Sequence, residues 1–112
     1  MRRLLTVGLT AGAAACVLAL PAAAATPTFK GTVGPGFTIK MASEPTKAGK
    51  IKLVVSDKSS IHDFHLTGPG VNVKTSVSGT GTKTFTVTLT KGTYKFICDP
   101  HKSIMHGSFK VS

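Results

Sequence analysis

Apolar and polar residues alternate along most of this chain, and glycine or proline interrupts the alternation every few residues. In TKTFTVTLT, residues 82–90, the apolar side chains face one way and the threonines face the other. KIKLVVSD, residues 50–57, alternates in the same way with lysines. A period of two is typical of a half-buried β-strand, and nothing after residue 26 sustains a helical period. The sequence therefore predicts an all-β protein.

Shorter segments repeat the same pattern between turn signals such as Gly34-Pro35-Gly36 and Gly68-Pro69-Gly70. Their predicted inward residues are Phe37, Ile39 and Met41; Tyr94, Phe96 and Cys98; Phe109 and Val111. Seven or eight short strands with such spacing are typical of a Greek-key β-sandwich, because each sheet then buries one face. We expect that architecture, as a sandwich or closed barrel.

The N-terminus has the features of a secretory signal peptide. Arg2 and Arg3 precede an uncharged apolar run, residues 4–20, and Pro21 with four alanines then supplies a small-residue cleavage site. We predict a signal peptide over residues 1–25 and one mature domain over residues 26–112. The mature chain would have no membrane span. It would be exported to the periplasm, cell envelope or exterior, and we expect a monomer.

The mature chain is strongly basic. Twelve lysines face four carboxylates, a net charge of +8, and no arginine remains after residue 25. Nucleic-acid binding usually favours arginine and stacking aromatic residues, and here the lysines are spread along strands, so we expect no nucleic-acid partner. The charge either solvates the surface or steers the protein toward an acidic partner.

Soft donor atoms are concentrated near the C-terminus, in FICDPHKSIMHGSFKV, residues 96–111. The donors are Cys98, His101, Met105 and His106. Cys98 is the only cysteine after residue 25, so the mature domain has no internal disulfide, and a lone exported thiol needs a partner to protect it. A thiolate, an imidazole and a thioether suit copper better than calcium or magnesium.

A second histidine is predicted to point inward from IHDFHLTGPG, residues 61–70. His62 shares its face with Phe64 and Leu66, while Asp63 and His65 fall on the other face. If strand pairing brings His62 beside the C-terminal loop, the donors become two histidines, a cysteine and a weak axial methionine, the set of a blue-copper site. A zinc site made of Cys98, three histidines and no methionine remains an alternative.

These segments together resemble the cupredoxin family, which includes plastocyanin, pseudoazurin and amicyanin. The chain is similar in particular to short secreted bacterial members with an HxFHLTGPGV segment and a C-terminal CDPH loop, and the resemblance spans residues 30–112. It implies a Greek-key fold that holds one type 1 copper ion. By family role, His62 and His101 bind through ring nitrogens, Cys98 binds through its thiolate, and Met105 is the axial ligand.

The resemblance also implies a one-electron carrier, which is not an enzyme, and a redox partner protein. If the basic charge of the chain steers this encounter, the partner has an acidic docking surface. Two departures from the family pattern stand out. Asp63 occupies a position where the family commonly has asparagine, and three residues separate His101 from Met105, where plastocyanin-like loops have four and amicyanin-like loops two. Two other roles stay open: a secreted copper carrier that supplies an oxidase, and a structural domain with vestigial ligands.

Overall fold

The computed structural model describes residues 8, 12 and 25–112, and the predicted signal peptide lies outside them apart from Gly8, Gly12 and Ala25. Eight strands follow one another along the domain. They are β1 (Thr28–Val33), β2 (Ile39–Met41), β3 (Gly49–Asp57), β4 (His65–Gly68), β5 (Val71–Lys74), β6 (Gly81–Leu89), β7 (Gly92–Ile97) and β8 (His106–Val111). One 3₁₀ turn, Asp99–His101, lies between β7 and β8.

The strands form two four-stranded sheets, in the orders β2-β1-β3-β6 and β5-β4-β7-β8. β1 and β3 run parallel, and every other pair is antiparallel. Each sheet turns one face toward the other, and the buried hydrophobic side chains of both form a single core. The predicted all-β sandwich of seven to eight strands is therefore confirmed. Within residues 25–112, no helix is long and apolar enough to cross a bilayer.

The alternation read from the sequence places most core residues correctly. On β3 the buried hydrophobic residues are Ile51, Leu53 and Val55, while Lys50 and Lys52 are exposed. In the second sheet, Tyr94 stacks on Phe109 and Phe64 stacks on Phe96. These apolar side chains pack the two sheets against each other, since each strand contributes one row of inward-facing residues.

The predicted inward position of Phe37 is wrong. Phe37 precedes β2 and is 56 % exposed, whereas Ile39 and Met41 within the strand are half-buried against the core. The alternation fails because the chain turns through Pro35 and Gly36 before β2 begins, so the period of two does not extend back to Phe37. Its ring instead lies against two histidines, as described below.

Strand pairing brings the two donor-bearing segments to one end of the sandwich. β4 pairs with β7 so that His65 lies opposite Ile97 and Leu66 opposite Phe96. The chain just before β4 and the chain just after β7 therefore meet at the same pole. Gly107 on β8 faces Phe96, and a Cβ atom there would overlap the Phe96 ring, so this position requires glycine.

Candidate metal centre

A compact loop carries three of the predicted donors. The N–H of His101 donates to the Cys98 carbonyl (3.1 Å), and the N–H of Met105 donates to the His101 carbonyl (2.9 Å). The N–H of Cys98 donates in turn to the Met105 carbonyl (3.0 Å), which closes the loop on itself. These backbone bonds fix Cys98, His101 and Met105 close to one another without help from their side chains.

His62 reaches this loop from the segment between β3 and β4. Its ring is fully buried, and His62 Nδ1 lies 3.1 Å from His101 Nδ1 and 3.6 Å from Cys98 Sγ. The third side of the triangle, Cys98 Sγ to His101 Nδ1, is also 3.6 Å. Pairing of β4 with β7 produces this approach, as the sequence predicted for an inward His62.

The triangle has the size that a single metal ion requires. Metal–nitrogen bonds of about 2.0–2.1 Å and a metal–sulfur bond of about 2.3 Å place neighbouring donor atoms roughly 3.3–3.6 Å apart. The three observed separations, 3.1, 3.6 and 3.6 Å, are close to this range. Two imidazole nitrogens and one thiol sulfur thus face a common point, and the donor set fits copper.

The thiol and the thioether are both protected from solvent. Cys98 is 0 % exposed, and it is the one cysteine among residues 25–112, with no disulfide partner there. Burial raises the pKa of the Cys98 thiol, so copper binding must displace a proton from the sulfur. Met105 is 1 % exposed, in line with a donor that lies inside the domain.

Asp63 lies inside the site, although alternation predicted it to face outward. It is almost fully buried because its segment is a loop in which β4 has not yet begun, and its Oδ1 accepts the N–H of Asp99 at 2.6 Å. That bond ties the His62 loop to the Cys98 loop. Burial, together with the neighbouring Asp99 carboxyl group, raises the pKa of Asp63 to about 6, although the bond from the Asp99 N–H acts to lower it.

His65 and His106 do not join the triangle of donor atoms. His65 Nδ1 lies 2.9 Å from Asp99 Oδ2, and His65 Nε2 lies 2.6 Å from Asn72 Oδ1, so both ring nitrogens already have partners. His106 begins β8 and is exposed. Asp63, His65 and Asp99 form a second group of close donor atoms whose polar contacts lie within the group and to Asn72. The alternative zinc site of Cys98 and three histidines is therefore not formed, because, of the described histidines, only His62 and His101 lie beside Cys98.

Phe37, which the alternation wrongly predicted to lie in the core, contacts the two histidine donors. Its ring makes edge-to-face contacts with His62 (centroids 5.2 Å apart) and with His101 (5.0 Å). Ile61 and Ile104, which adjoin the two histidine segments, are also largely exposed. An apolar rim of Phe37, Ile61 and Ile104 therefore lies at the end of the domain where the donors converge.

Comparison with known proteins agrees with this geometry. The sequence model of the copper binding proteins of the plastocyanin/azurin family matches residues 22–112. The chain belongs to that family. The protein is thus a cupredoxin, and its cofactor is one type 1 copper ion, which suits the nitrogen and sulfur donors described above.

The cupredoxin fold is also found by structural comparison. The domain is similar to auracyanin A, a "blue" copper protein from the green thermophilic photosynthetic bacterium Chloroflexus aurantiacus. The TM-score is 0.54 at 17 % identity, with 79 % of this chain and 100 % of that chain covered, so the likeness concerns the fold. A search of curated protein sequences gave no significant match.

Proposed function

We propose that this cupredoxin is an exported one-electron carrier whose copper alternates between Cu(I) and Cu(II). His62 Nδ1, His101 Nδ1 and Cys98 Sγ would hold the copper, with Met105 as the weak axial donor. The observation that carries the proposal is the convergence of two imidazole nitrogens and one thiol sulfur within 3.6 Å of one another. Bound copper supplies the reversible one-electron couple, and the protein supplies a fixed donor set.

Rigidity of the donors supports electron transfer. Three of the four donors lie on a loop closed by its own backbone hydrogen bonds, and the Asp63–Asp99 bond joins that loop to the His62 segment. Donors that hold their positions in both oxidation states require little rearrangement when an electron arrives or leaves. The role involves no chemistry on a bound substrate, so we propose a carrier and not an enzyme.

Burial of the donor side chains disfavours the alternative role in copper delivery. His62 and Cys98 are fully enclosed, and His101 is the half-exposed member of the set. A delivery protein must surrender its metal to another protein, whereas an electron needs only a short path to the surface. His65, which could have served as a transfer ligand, is engaged by Asp99 and Asn72.

The apolar rim is the surface on which we propose that the redox partner docks. Phe37 and Ile104 are exposed beside His101, and Lys58 and Lys102 are exposed on the two donor-bearing segments. A partner with an apolar centre and acidic side chains around it would fit this surface, since apolar side chains would pack on the rim and opposite charges steer the encounter. The partner would meet the protein outside the cytoplasm.

Voltammetry combined with chelator competition tests carrier against delivery. An electron carrier should give a reversible one-electron wave and should lose Cu(I) slowly to a coloured chelator in excess. Rapid and complete transfer of Cu(I) to the chelator, without a reversible wave, would replace the proposal with the delivery role. Substituting Lys102→Glu should slow reduction by an acidic donor protein at low salt, while Lys110→Glu on β8 serves as a control of equal charge.

A further inference from the structure

Two buried polar atoms within the described part of the chain have no hydrogen-bond partner: Asp57 Oδ2 and His62 Nε2. Both residues are enclosed, Asp57 at 5 % exposure and His62 at 0 %. Leaving a buried donor or acceptor unpaired costs about 1–3 kcal/mol, so each such atom requires an explanation. Here one atom is a carboxylate oxygen that accepts and the other is a ring nitrogen that donates when it carries a proton.

Copper ligation fixes the proton on the unpaired nitrogen. His62 Nδ1 faces Cys98 and His101, so a metal bound there leaves the ring proton on Nε2. The Nε2–H group then points away from the metal into the protein. Metal-bound histidines almost always donate this proton to a carboxylate, a carbonyl or water, which orients the ring and makes it more basic.

The turn after β3, which Asp57 holds, lies close to the Nε2 edge of the His62 ring. Asp57 ends β3, and its Oδ1 accepts the N–H of Ser59 at 3.0 Å, which folds the start of the His62 loop. A Cβ atom on Gly34 would lie 2.9 Å from Ser59 Cβ and 3.5 Å from His62 Cδ2, the ring carbon bonded to Nε2. The ring edge of His62 and the turn that Asp57 holds therefore border the same small space beside Gly34.

Electrostatics agrees with this proximity. Burial raises the pKa of Asp57, while the Ser59 N–H and a charge on the His62 ring act to lower it. The Asp57 carboxyl group is thus within electrostatic reach of the ring. No lysine contributes to this balance, although Lys83 lines the same surface cleft as Asp57.

We propose that Asp57 is a positioning residue for the copper ligand His62, with one buried water accepting a hydrogen bond from His62 Nε2–H and donating one to Asp57 Oδ2. The inference rests on the proposed ligation of copper by His62. It assigns a role to Asp57, a residue that the sequence pattern showed only as the end of a strand. The hydrogen bond makes the imidazole a stronger donor, which favours Cu(II) over Cu(I).

The test uses two substitutions that separate this bond from the turn. Asp57→Asn keeps an oxygen for the Ser59 N–H but presents an NH₂ group, which cannot accept a hydrogen bond from the bridging water. Ser59→Ala is the matched control, since it removes the contact of Ser59 Oγ with the Ile61 N–H and keeps the carboxylate. We expect Asp57→Asn to weaken Cu(II) binding about tenfold relative to Cu(I). That change raises the reduction potential by about 59 mV.

Nitrogen-15 NMR of the Cu(I)-loaded protein supplies a second readout, because Cu(I) is diamagnetic. In the wild type the His62 Nε2–H proton should exchange slowly with solvent, and in Asp57→Asn it should exchange at least tenfold faster. Ser59→Ala should leave both the exchange rate and the potential near the wild-type values. If Asp57→Asn fails to fold, the wild-type exchange rate alone decides, since fast exchange there contradicts the hydrogen bond.

Other outcomes also overturn the inference. A raised potential in Asp57→Asn with unchanged Nε2–H exchange would show that the carboxylate acts by charge alone. An equal rise in Ser59→Ala would assign the effect to the turn. Absence of a blue band in wild-type protein with Cu(II) would defeat the proposed copper ligation itself, whereas a blue wild type with fast Nε2–H exchange would defeat only the role of Asp57.

Discussion

Replacing Phe37 by alanine should speed the release of copper without changing its colour. The Phe37 ring makes edge-to-face contacts with both histidines, and its contact with His101 has ring planes 87° apart. His101 is the more exposed of the two, so we expect copper to leave after this ring swings outward. Phe37 opposes that movement because the contact exists only while His101 faces the metal.

The size of the effect follows from the single contact that opening breaks. An edge-to-face aromatic pair contributes about 0.5–1.5 kcal/mol beyond burial. Losing it should raise the population of the open His101 ring, and hence the rate of copper loss, about twofold to tenfold. The blue band should keep its position, since Phe37 supplies no donor atom.

Transfer of Cu(I) to a coloured chelator, at concentrations where the rate no longer depends on chelator, measures this opening directly. Ile61→Ala is the matched control, because Ile61 is 51 % exposed beside His62 but offers no aromatic ring. Phe37→Leu should behave like Phe37→Ala if the aromatic edge is what matters. An unchanged rate in Phe37→Ala, or an equal increase in Ile61→Ala, would refute the reasoning.

Four further substitutions test the site. Cys98→Ser should abolish the blue band while far-UV circular dichroism still shows a β-sandwich; retained colour would exclude Cys98 as the thiolate ligand. Met105→Leu should keep the colour and raise the reduction potential, and loss of copper would contradict a weak axial role. His65→Ala should leave the spectrum unchanged and lower the unfolding free energy by about 0–1 kcal/mol, as expected for an ion pair near the surface; bleaching would show that His65 is a ligand. Because the pKa of Asp63 is raised, its ionisation destabilises the fold as pH rises from about 4 to 6; Asp63→Asn should therefore gain stability relative to the wild type over that interval in apo-protein denaturation, and a constant difference would contradict the raised pKa.

Much of the fold could be predicted because its signals are local. The period of two identifies the inward residues of β3, β6 and β7, since each strand is paired along its whole length and buries one face. The period of two gave the wrong position for Phe37 because this residue lies outside β2, after a turn. It also gave the wrong position for Asp63, because β4 starts only at His65 and the alternating residues before it form a loop.

The metal centre was predictable in part for the same reason. Cys98, His101 and Met105 lie within eight residues, so a short loop alone can gather them. The approach of His62 depends on the register between β4 and β7, which the alternation of His62, Phe64 and Leu66 suggested but did not determine. The partners of the His65 ring and the surroundings of the Asp57 carboxyl group depend on contacts between distant segments, and no local pattern reports those.

A visible absorption titration of the purified protein with Cu(II) tests the copper site most directly. We predict an intense blue thiolate-to-copper band that grows linearly and stops at one equivalent, because a single triangle of His62, His101 and Cys98 donors holds one ion. A protein that binds Cu(II) without this band, or that takes up no copper, would contradict the assignment of these side chains as the ligands of a type 1 centre.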